Sequence, residues 1–165
     1  MRLPAALAAL LFASSASAQA PATATADLKN GAGQTVGAVT LTAAPKGVLM
    51  KVEAKGLTPG WHGLHFHEKA DCSKSDFTSA GAHVHGQEAA VHGLLNPKAN
   101  DLGDLPNVHA GADGAVNAEV FSSLVTLAAL KDADGSAVVI HAGPDDHMAQ
   151  PIGGAGARVA CAEVR

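Results

Sequence analysis

The sequence contains few aromatic residues, few charged residues and only two cysteines. Aromatic residues make up 3% and charged residues 16% of the 165 residues, whereas glycine occurs 18 times. This composition fits many turns that join short strands better than it fits a helical bundle. Asp and Glu number 15 against 11 Lys and Arg, and this negative balance argues against a nucleic-acid partner.

Several motifs of common enzyme classes are missing as well. The glycine-rich residues 153–156 lack the preceding strand and the following helix that a phosphate-binding loop requires. The His-Glu-x-x-His motif of zinc hydrolases is absent, and Glu68 is the only candidate general base near the histidines. We find no internal repeat and no second domain, so the length predicts a single domain.

The N-terminal segment, residues 1–18, is organised like a secretory signal. Arg2 precedes a short apolar run, and the small-x-small site Ala16-Ser17-Ala18 follows it. A transmembrane helix is the alternative, but the run is too short and no stop-transfer charges follow. We expect cleavage before Gln19, export to the periplasm or extracellular space, and one mature domain, residues 19–165, without membrane association.

The two cysteines, Cys72 and Cys161, fit an exported protein. Oxidising compartments preserve disulfides, so an even pair of cysteines most simply forms one bridge. A pair of thiolate metal ligands is the alternative, although histidines are abundant nearby.

Short strand-like segments separated by turn residues account for most of the apolar positions. These predicted strands are residues 34–41, 47–55, 61–67, 116–121, 136–141 and 157–164. Residues 124–132 are ambiguous between a helical turn and a strand, and no long segment has the helical period. The pattern predicts an all-β antiparallel sandwich or barrel with two long loops, residues 68–114 and 142–156.

Histidines are concentrated in and after the third predicted strand. His65 and His67 share one face of that strand, whereas Phe66 points to the opposite face, towards a core. Two imidazoles on one face can hold a metal ion; a solvent-facing polar face is the alternative. The first long loop adds His83, His85, His92, Asp101, Asp104 and His109, which predicts that a metal ion orders it.

Ordered motifs extend through nearly the whole mature chain. They are Gly63-Leu64-His65-Phe66-His67-Glu68, Ser79-Ala80-Gly81-Ala82-His83, His92-Gly93, Gly103-Asp104-Leu105-Pro106-Asn107, Val139-Ile140-His141-Ala142-Gly143-Pro144-Asp145-Asp146 and Gly156-Ala157-Arg158-Val159-Ala160-Cys161. Together they resemble copper/zinc superoxide dismutases of the bacterial exported type. The resemblance implies an immunoglobulin-like Greek-key sandwich or barrel, copper and zinc as cofactors, and superoxide as the substrate.

The resemblance also implies roles for individual residues. Copper would be held by His65, His67, His83 and His141. Zinc would be held by His83, His92 and Asp104, with His83 shared by both ions and acting as the proton carrier. Asp145 would bridge a copper histidine and a zinc histidine, and Arg158 would guide the anionic substrate, with Lys69 or Lys74 as helpers.

The sequence departs from the family pattern at Asp101, where the family has a histidine three residues before the zinc aspartate. An aspartate oxygen and a histidine Nδ1 lie the same number of bonds from Cα, so we expect Asp101 to bind zinc. The alternatives are a copper-only enzyme or completion of the site by His85. His85 could also serve as the bridging residue, but otherwise His85, His109 and His147 are expected to face solvent, and His62 to pack or support the ligands.

The predicted function is copper-dependent dismutation of superoxide to dioxygen and hydrogen peroxide. A non-catalytic copper-binding protein with the same fold is the main alternative. It would need the histidine ligands but not an anion-guiding arginine. A homodimer is one candidate for the state in solution.

Overall fold

The computed structural model describes residues 20–165, so the predicted signal segment lies outside the described residues. Nine strands account for most of the regular structure: β1 Thr23–Asn30, β2 Thr35–Ala44, β3 Gly47–Ala54, β4 Gly60–His62, β5 Leu64–His67, β6 Val108–Ala110, β7 Val116–Ser122, β8 Ser136–His141 and β9 Arg158–Val164. A 3₁₀ turn, Thr78–Ala80, and one short helix, α1 Leu127–Leu130, complete the elements. Within residues 20–165, no helix is long and apolar enough to cross a membrane.

Seven strands form one curled antiparallel sheet in the order β5-β8-β9-β1-β2-β3-β7, and β4 pairs with β6 in a separate ribbon. The chain leaves β3 near one edge of the sheet and returns as β5 at the opposite edge. It then crosses back to β7 beside β3 before β8 pairs with β5. These crossings are of the Greek-key kind, and the all-β prediction is confirmed.

The main core follows from the alternation of apolar and polar residues. In β3, Val48, Met50 and Val52 are buried, while Leu49 and Lys51 between them face outward. Phe66 of β5 is also fully buried in this core, as predicted. An antiparallel sheet with one face packed and the other solvated produces this pattern.

Three elements of the structure differ from the sequence prediction or resolve an ambiguity in it. The strand β1 was missed because Thr, Ala and charged residues dominate it, and Leu28 is its only fully buried apolar residue. The predicted strand 61–67 is broken at Gly63, whose N–H donates to the Gly143 carbonyl. The ambiguous segment 124–132 contains α1, which is capped by the Thr126 hydroxyl.

A second, smaller cluster covers the outer face of β8 and β9. It contains Phe77, Ala80, Ala137, Val139 and Cys161, so the first long loop packs against the sheet. The disulfide between Cys72 and Cys161 attaches that loop to β9, which confirms the predicted bridge. It joins residues 89 apart, and a loop of that length is worth about 4 to 5 kcal/mol in the chain-entropy model.

Candidate metal centre

The centre forms around β5, a short strand at the edge of the sheet. One side of β5 pairs with β8, and the first long loop supplies partners for the other side. The Phe66 N–H donates to the Gly103 carbonyl over 2.9 Å, and the Phe66 carbonyl accepts from the Val84 N–H over 2.9 Å. A Cβ at Gly103 would overlap the Phe66 carbonyl oxygen, so this approach requires glycine. These bonds bring His83 and Asp104 beside the strand histidines.

Four buried imidazoles converge at the first of two ligand clusters. Their inward nitrogens lie within 4.8 Å of one another and have no hydrogen-bond partner among the described residues. These atoms are His65 Nδ1, His67 Nε2, His83 Nε2 and His141 Nε2. A buried nitrogen without a partner is costly, and four that point at one position fit a shared metal ion.

The opposite nitrogen of each of these rings is fixed by an acceptor. His67 Nδ1 lies 3.0 Å from the Gly81 carbonyl oxygen, and His141 Nδ1 lies 3.0 Å from the Gly156 carbonyl oxygen. His65 Nε2 donates to Asp145 Oδ2 over 2.8 Å. Because each outer nitrogen donates its proton, the inner nitrogen carries the lone pair that a metal needs.

Burial keeps three of the four rings of this cluster neutral. Desolvation lowers the pKa of His67 to about 2 and that of His141 to about 4, and it also lowers the pKa of His65. Neutral imidazole is the form that coordinates metals, so all three rings are ready to bind at neutral pH.

The second cluster lies on the other side of His83 and contains two imidazoles and two carboxylates. His83 Nδ1 lies 2.7 Å from Asp101 Oδ2, and His92 Nδ1 lies 2.5 Å from Asp104 Oδ1. The two crossed distances, from His83 to Asp104 and from His92 to Asp101, are both 3.7 Å. Two nitrogens and two oxygens at this spacing are a donor set suited to tetrahedral zinc.

His65 also comes within 4.8 Å of His83, His92 and Asp104 when one ligand atom of each is considered. However, His65 Nε2 is committed to Asp145, and His65 Nδ1 belongs to the four-histidine cluster. Asp101 Oδ1 accepts from the Gly103 N–H over 2.8 Å, which leaves Oδ2 aimed at the imidazoles. Asp101 is not among the four groups that meet within 4.8 Å there, but its Oδ2 lies 2.7 Å from His83 Nδ1 and 3.7 Å from His92 Nδ1, beside them.

Electrostatics in the second cluster favour positive charge. Burial alone would lower the pKa of His83 and His92, but Asp101 and Asp104 outweigh it, raising the pKa of His83 and bringing that of His92 to about 11. Burial opposes ionisation of the two carboxyls, yet the imidazoles hold both of their pKa values below the usual range. A dication placed among these groups would experience the same field.

Asp145 connects the two clusters. Its Oδ2 accepts from His65 Nε2 over 2.8 Å, and its Oδ1 accepts from His92 Nε2 over 3.0 Å. Burial opposes ionisation of this carboxyl as well, but the two histidines lower its pKa far below the usual range. A Cβ at Gly153 would overlap Asp145 Oδ1, so glycine is needed there. One carboxylate thus orients a ring in each cluster.

Arg158 lies beside the four-histidine cluster, as register partner of His141 on the neighbouring strand. Its guanidinium is half-buried and donates to the Phe77 carbonyl over 2.6 Å and to the Gly81 carbonyl over 2.7 Å. The Gly81 carbonyl is also the acceptor for His67. These bonds fix a cation next to the four-histidine cluster.

The remaining histidines lie outside both clusters. His62 is buried, with Nδ1 2.7 Å from the His141 carbonyl oxygen and Nε2 2.8 Å from the Thr58 carbonyl oxygen. His109 packs edge-on against the exposed Trp61, with ring centroids 4.9 Å apart. The exposed His85 lies 3.4 Å from Glu68 Oε2, so it neither bridges the clusters nor completes the second one.

Sequence reasoning missed two neighbours of Asp145. Asn107 accepts from the Asp145 N–H over 2.9 Å and donates to its carbonyl over 2.8 Å. The His147 N–H donates to Asp145 Oδ1 over 2.6 Å, and its side chain is only 19% exposed, so the expectation that it faces solvent was wrong. Asn107 falls in a recognised motif, whereas proximity to Asp145 was the only signal for His147.

Comparison with known families agrees with this geometry. The family model described as copper/zinc superoxide dismutase (SODC) matches residues 35–164. The chain belongs to this family. A protein named superoxide dismutase [Cu-Zn] from Caulobacter vibrioides is 64% identical over 148 residues, which cover 86% of this chain and 85% of that protein.

Solved structures support the same assignment. The Cu/Zn superoxide dismutase from Brucella abortus superposes with a TM-score of 0.74 at 31% identity, covering 87% of this chain and 100% of the other. A double mutant of a SOD-like protein from Bacillus subtilis superposes with a TM-score of 0.77 at 35% identity, covering 85% of this chain and 95% of the other. The family assignment carries copper and zinc as cofactors, and the two clusters have the donor atoms for both.

Proposed function

We propose that this chain is a copper/zinc superoxide dismutase, which converts two superoxide ions and two protons to dioxygen and hydrogen peroxide. The observation that carries the proposal is the position of His83 between the two clusters. Its Nε2 faces the four-histidine cluster, while its Nδ1 faces the two carboxylates. A redox ion and a structural ion can therefore share one imidazole.

We assign copper to His65, His67, His83 and His141, and zinc to His83, His92, Asp101 and Asp104. Imidazole nitrogens suit copper in both oxidation states. When bound, copper supplies one-electron chemistry, by which one superoxide is oxidised to dioxygen and a second is reduced to peroxide. The zinc ligands come from the loop and not from the regular strands, so the closed site holds the loop in place.

His83 is the proton carrier in this proposal. Peroxide needs two protons, and superoxide brings none, so a group at the site must deliver at least one. His83 Nε2 is buried and has no partner among the described residues, while Nδ1 stays with Asp101 and Asp104. Whenever Nε2 is not occupied by copper, it can take up a proton and release it to the product.

Arg158 guides the substrate. The protein carries a formal charge of −4, so a superoxide anion needs a local positive potential to reach the site. The Arg158 guanidinium is held by two carbonyls beside His67 and His141. Burial lowers its pKa, but an arginine remains charged at neutral pH.

Arg158→Ala should therefore slow dismutation about tenfold, at the lower end of the effect of electrostatic steering. It should also flatten the dependence of the rate on ionic strength. Pulse radiolysis across a salt series measures both quantities, with copper content checked for each variant. Arg158→Lys, which keeps the charge, should retain most of the salt response, and Lys46→Ala, which removes an exposed cation in the turn between β2 and β3, is the matched control. An unchanged rate and salt response in Arg158→Ala would refute guidance by this residue.

The proposed activity is tested by superoxide consumption of the copper-loaded protein, measured with and without zinc. We expect catalytic consumption that depends on copper and stops when copper is removed. Stoichiometric copper binding without consumption would instead support a non-catalytic copper-binding protein. The zinc-hydrolase alternative has little support, since Glu68 accepts from the Ala82 N–H and lies beside His85, outside both clusters.

We further propose that residues 1–18 direct export and that residues 19–165 form the mature enzyme, in the periplasm or the extracellular space. The small-x-small site before Gln19 supports this proposal. N-terminal sequencing of the exported protein tests it, and a start at Gln19 is expected. A homodimer is a further prediction, and it is tested by measuring the mass of the protein in solution.

A further inference from the structure

His147 has an unusual backbone conformation close to the metal centre. Its φ of 59° lies in the left-handed region, and among residues 20–165 the only other non-glycine residue with positive φ is Phe77. Positive φ is uncommon for residues other than glycine, although His, like Asn and Asp, adopts it more often than most side chains do. Such outliers are concentrated at functional sites.

Backbone contacts of His147 link two loops through Asp145. The His147 N–H donates to Asp145 Oδ1 over 2.6 Å. The His147 carbonyl accepts from the Leu95 N–H over 3.2 Å, in the loop that carries His92. One residue therefore contacts both the Asp145 carboxylate and the loop that carries His92.

The ring of His147 is oriented by Asn107. Asn107 Oδ1 accepts from the Asp145 N–H, so the other amide atom must be the nitrogen. That nitrogen donates to the Asp145 carbonyl and lies 3.3 Å from His147 Nε2. With Nε2 as an acceptor, the proton of the neutral ring is on Nδ1, which lies 3.4 Å from Asp145 Oδ2 and has no hydrogen-bond partner among the described residues.

We propose that His147 is a positioning residue for both metal sites, because it fixes the carboxylate of Asp145. Its backbone N–H holds Oδ1, which also accepts from His92, and its ring faces Oδ2, which also accepts from His65. Oδ1 thus accepts from one ligand histidine and from the His147 N–H, whereas the His147 ring lies 3.4 Å from Oδ2 without a hydrogen bond to it. The inference rests on the proposed ligand assignments.

Two substitutions separate the ring from the backbone. His147→Gly accepts the left-handed conformation and keeps the backbone N–H, but it lacks the ring. His147→Asn tolerates the same conformation and restores an amide donor near the position of Nδ1. We expect the Gly variant to lose zinc to a chelator about tenfold faster than the parent, at the lower end for an outer partner of a ligand. The Asn variant should stay within about twofold of the parent.

The electronic spectrum of Cu(II) provides a second readout, which a general loss of stability does not move. The spectrum should shift in the Gly variant, because Asp145 orients the copper ligand His65. It should return towards that of the parent in the Asn variant. The same rate of zinc loss and the same Cu(II) spectrum in the parent and the Gly variant would overturn the proposal. Equally fast loss of zinc in the Gly and Asn variants would also overturn the proposal. The packing of the ring, and not its N–H donor, would then explain the effect.

A measurement on the parent protein needs no substitution. In the reduced, zinc-loaded protein, nitrogen NMR of the imidazoles should show the Nδ1–H tautomer for His147. An Nε2–H tautomer would contradict the proposal even if the Gly variant failed to fold. If the parent itself retained no zinc, the zinc assignment would fail, while the tautomer would still decide the role of His147.

Discussion

Replacing His83 with glutamine should lower the rate of superoxide dismutation at least about a hundredfold. His83 has Nε2 in the four-histidine cluster and Nδ1 beside the two carboxylates, and glutamine cannot bridge two ions in the same way. The variant also lacks the proposed proton carrier, and positioned proton transfer alone is worth about 10² to 10⁴ in rate. The measurement is the dismutation rate per bound copper, so that simple loss of metal is corrected for.

His85→Gln is the matched control for this substitution. His85 lies two residues further along the same loop, but it is exposed and contacts Glu68 instead of the clusters. We expect its rate to stay close to that of the parent. A His83→Gln variant that keeps full activity per copper would show that neither bridging nor proton transfer depends on this imidazole.

Asp101→Ala should weaken zinc binding at least about a hundredfold, since loss of even an outer partner of a ligand costs 10-fold to 100-fold. Asp101 Oδ2 lies 2.7 Å from His83 Nδ1, and its other oxygen is held by the Gly103 N–H. Removing it leaves three zinc ligands and one fewer negative charge in a buried site. Competition with a chromophoric chelator measures the change.

Asp101→His restores the residue that the family pattern has at this position. This variant should bind zinc far more tightly than Asp101→Ala does. Asp27→Ala, on the exposed face of β1, controls for the loss of one carboxylate from the protein. If Asp101→Ala bound zinc as tightly as the parent, Asp101 would not be a ligand, and the site would be completed by another group.

The parts of the fold and site that depend on local pattern were predictable from the sequence. Alternation in residues 64–67 placed His65 and His67 on one face and Phe66 in the core, and the structure agrees. In contrast, β1 carries little apolar signal, because its residues are half-buried or exposed except for Leu28. Its strand conformation comes from pairing with β2 and β9.

The set of metal ligands could not be predicted from the local sequence pattern alone. His83, His92, Asp101 and Asp104 lie in irregular backbone, and their meeting depends on the loop pairing with the free side of β5 and on the disulfide. Motif resemblance named these residues, but it could not place Asp101, which departs from the family. The contacts of Asp145 with Asn107 and His147 join separate loops, so no spacing in the sequence reports them.

The central claim is that one imidazole joins a four-nitrogen copper site to a zinc site completed by Asp101. Anomalous diffraction from crystals of the metal-loaded protein, recorded at the copper and zinc absorption edges, tests it most directly. The account predicts a copper peak among His65, His67, His83 and His141, and a zinc peak among His83, His92, Asp101 and Asp104. A zinc peak with Asp101 turned away, or copper bound without His83, would contradict it.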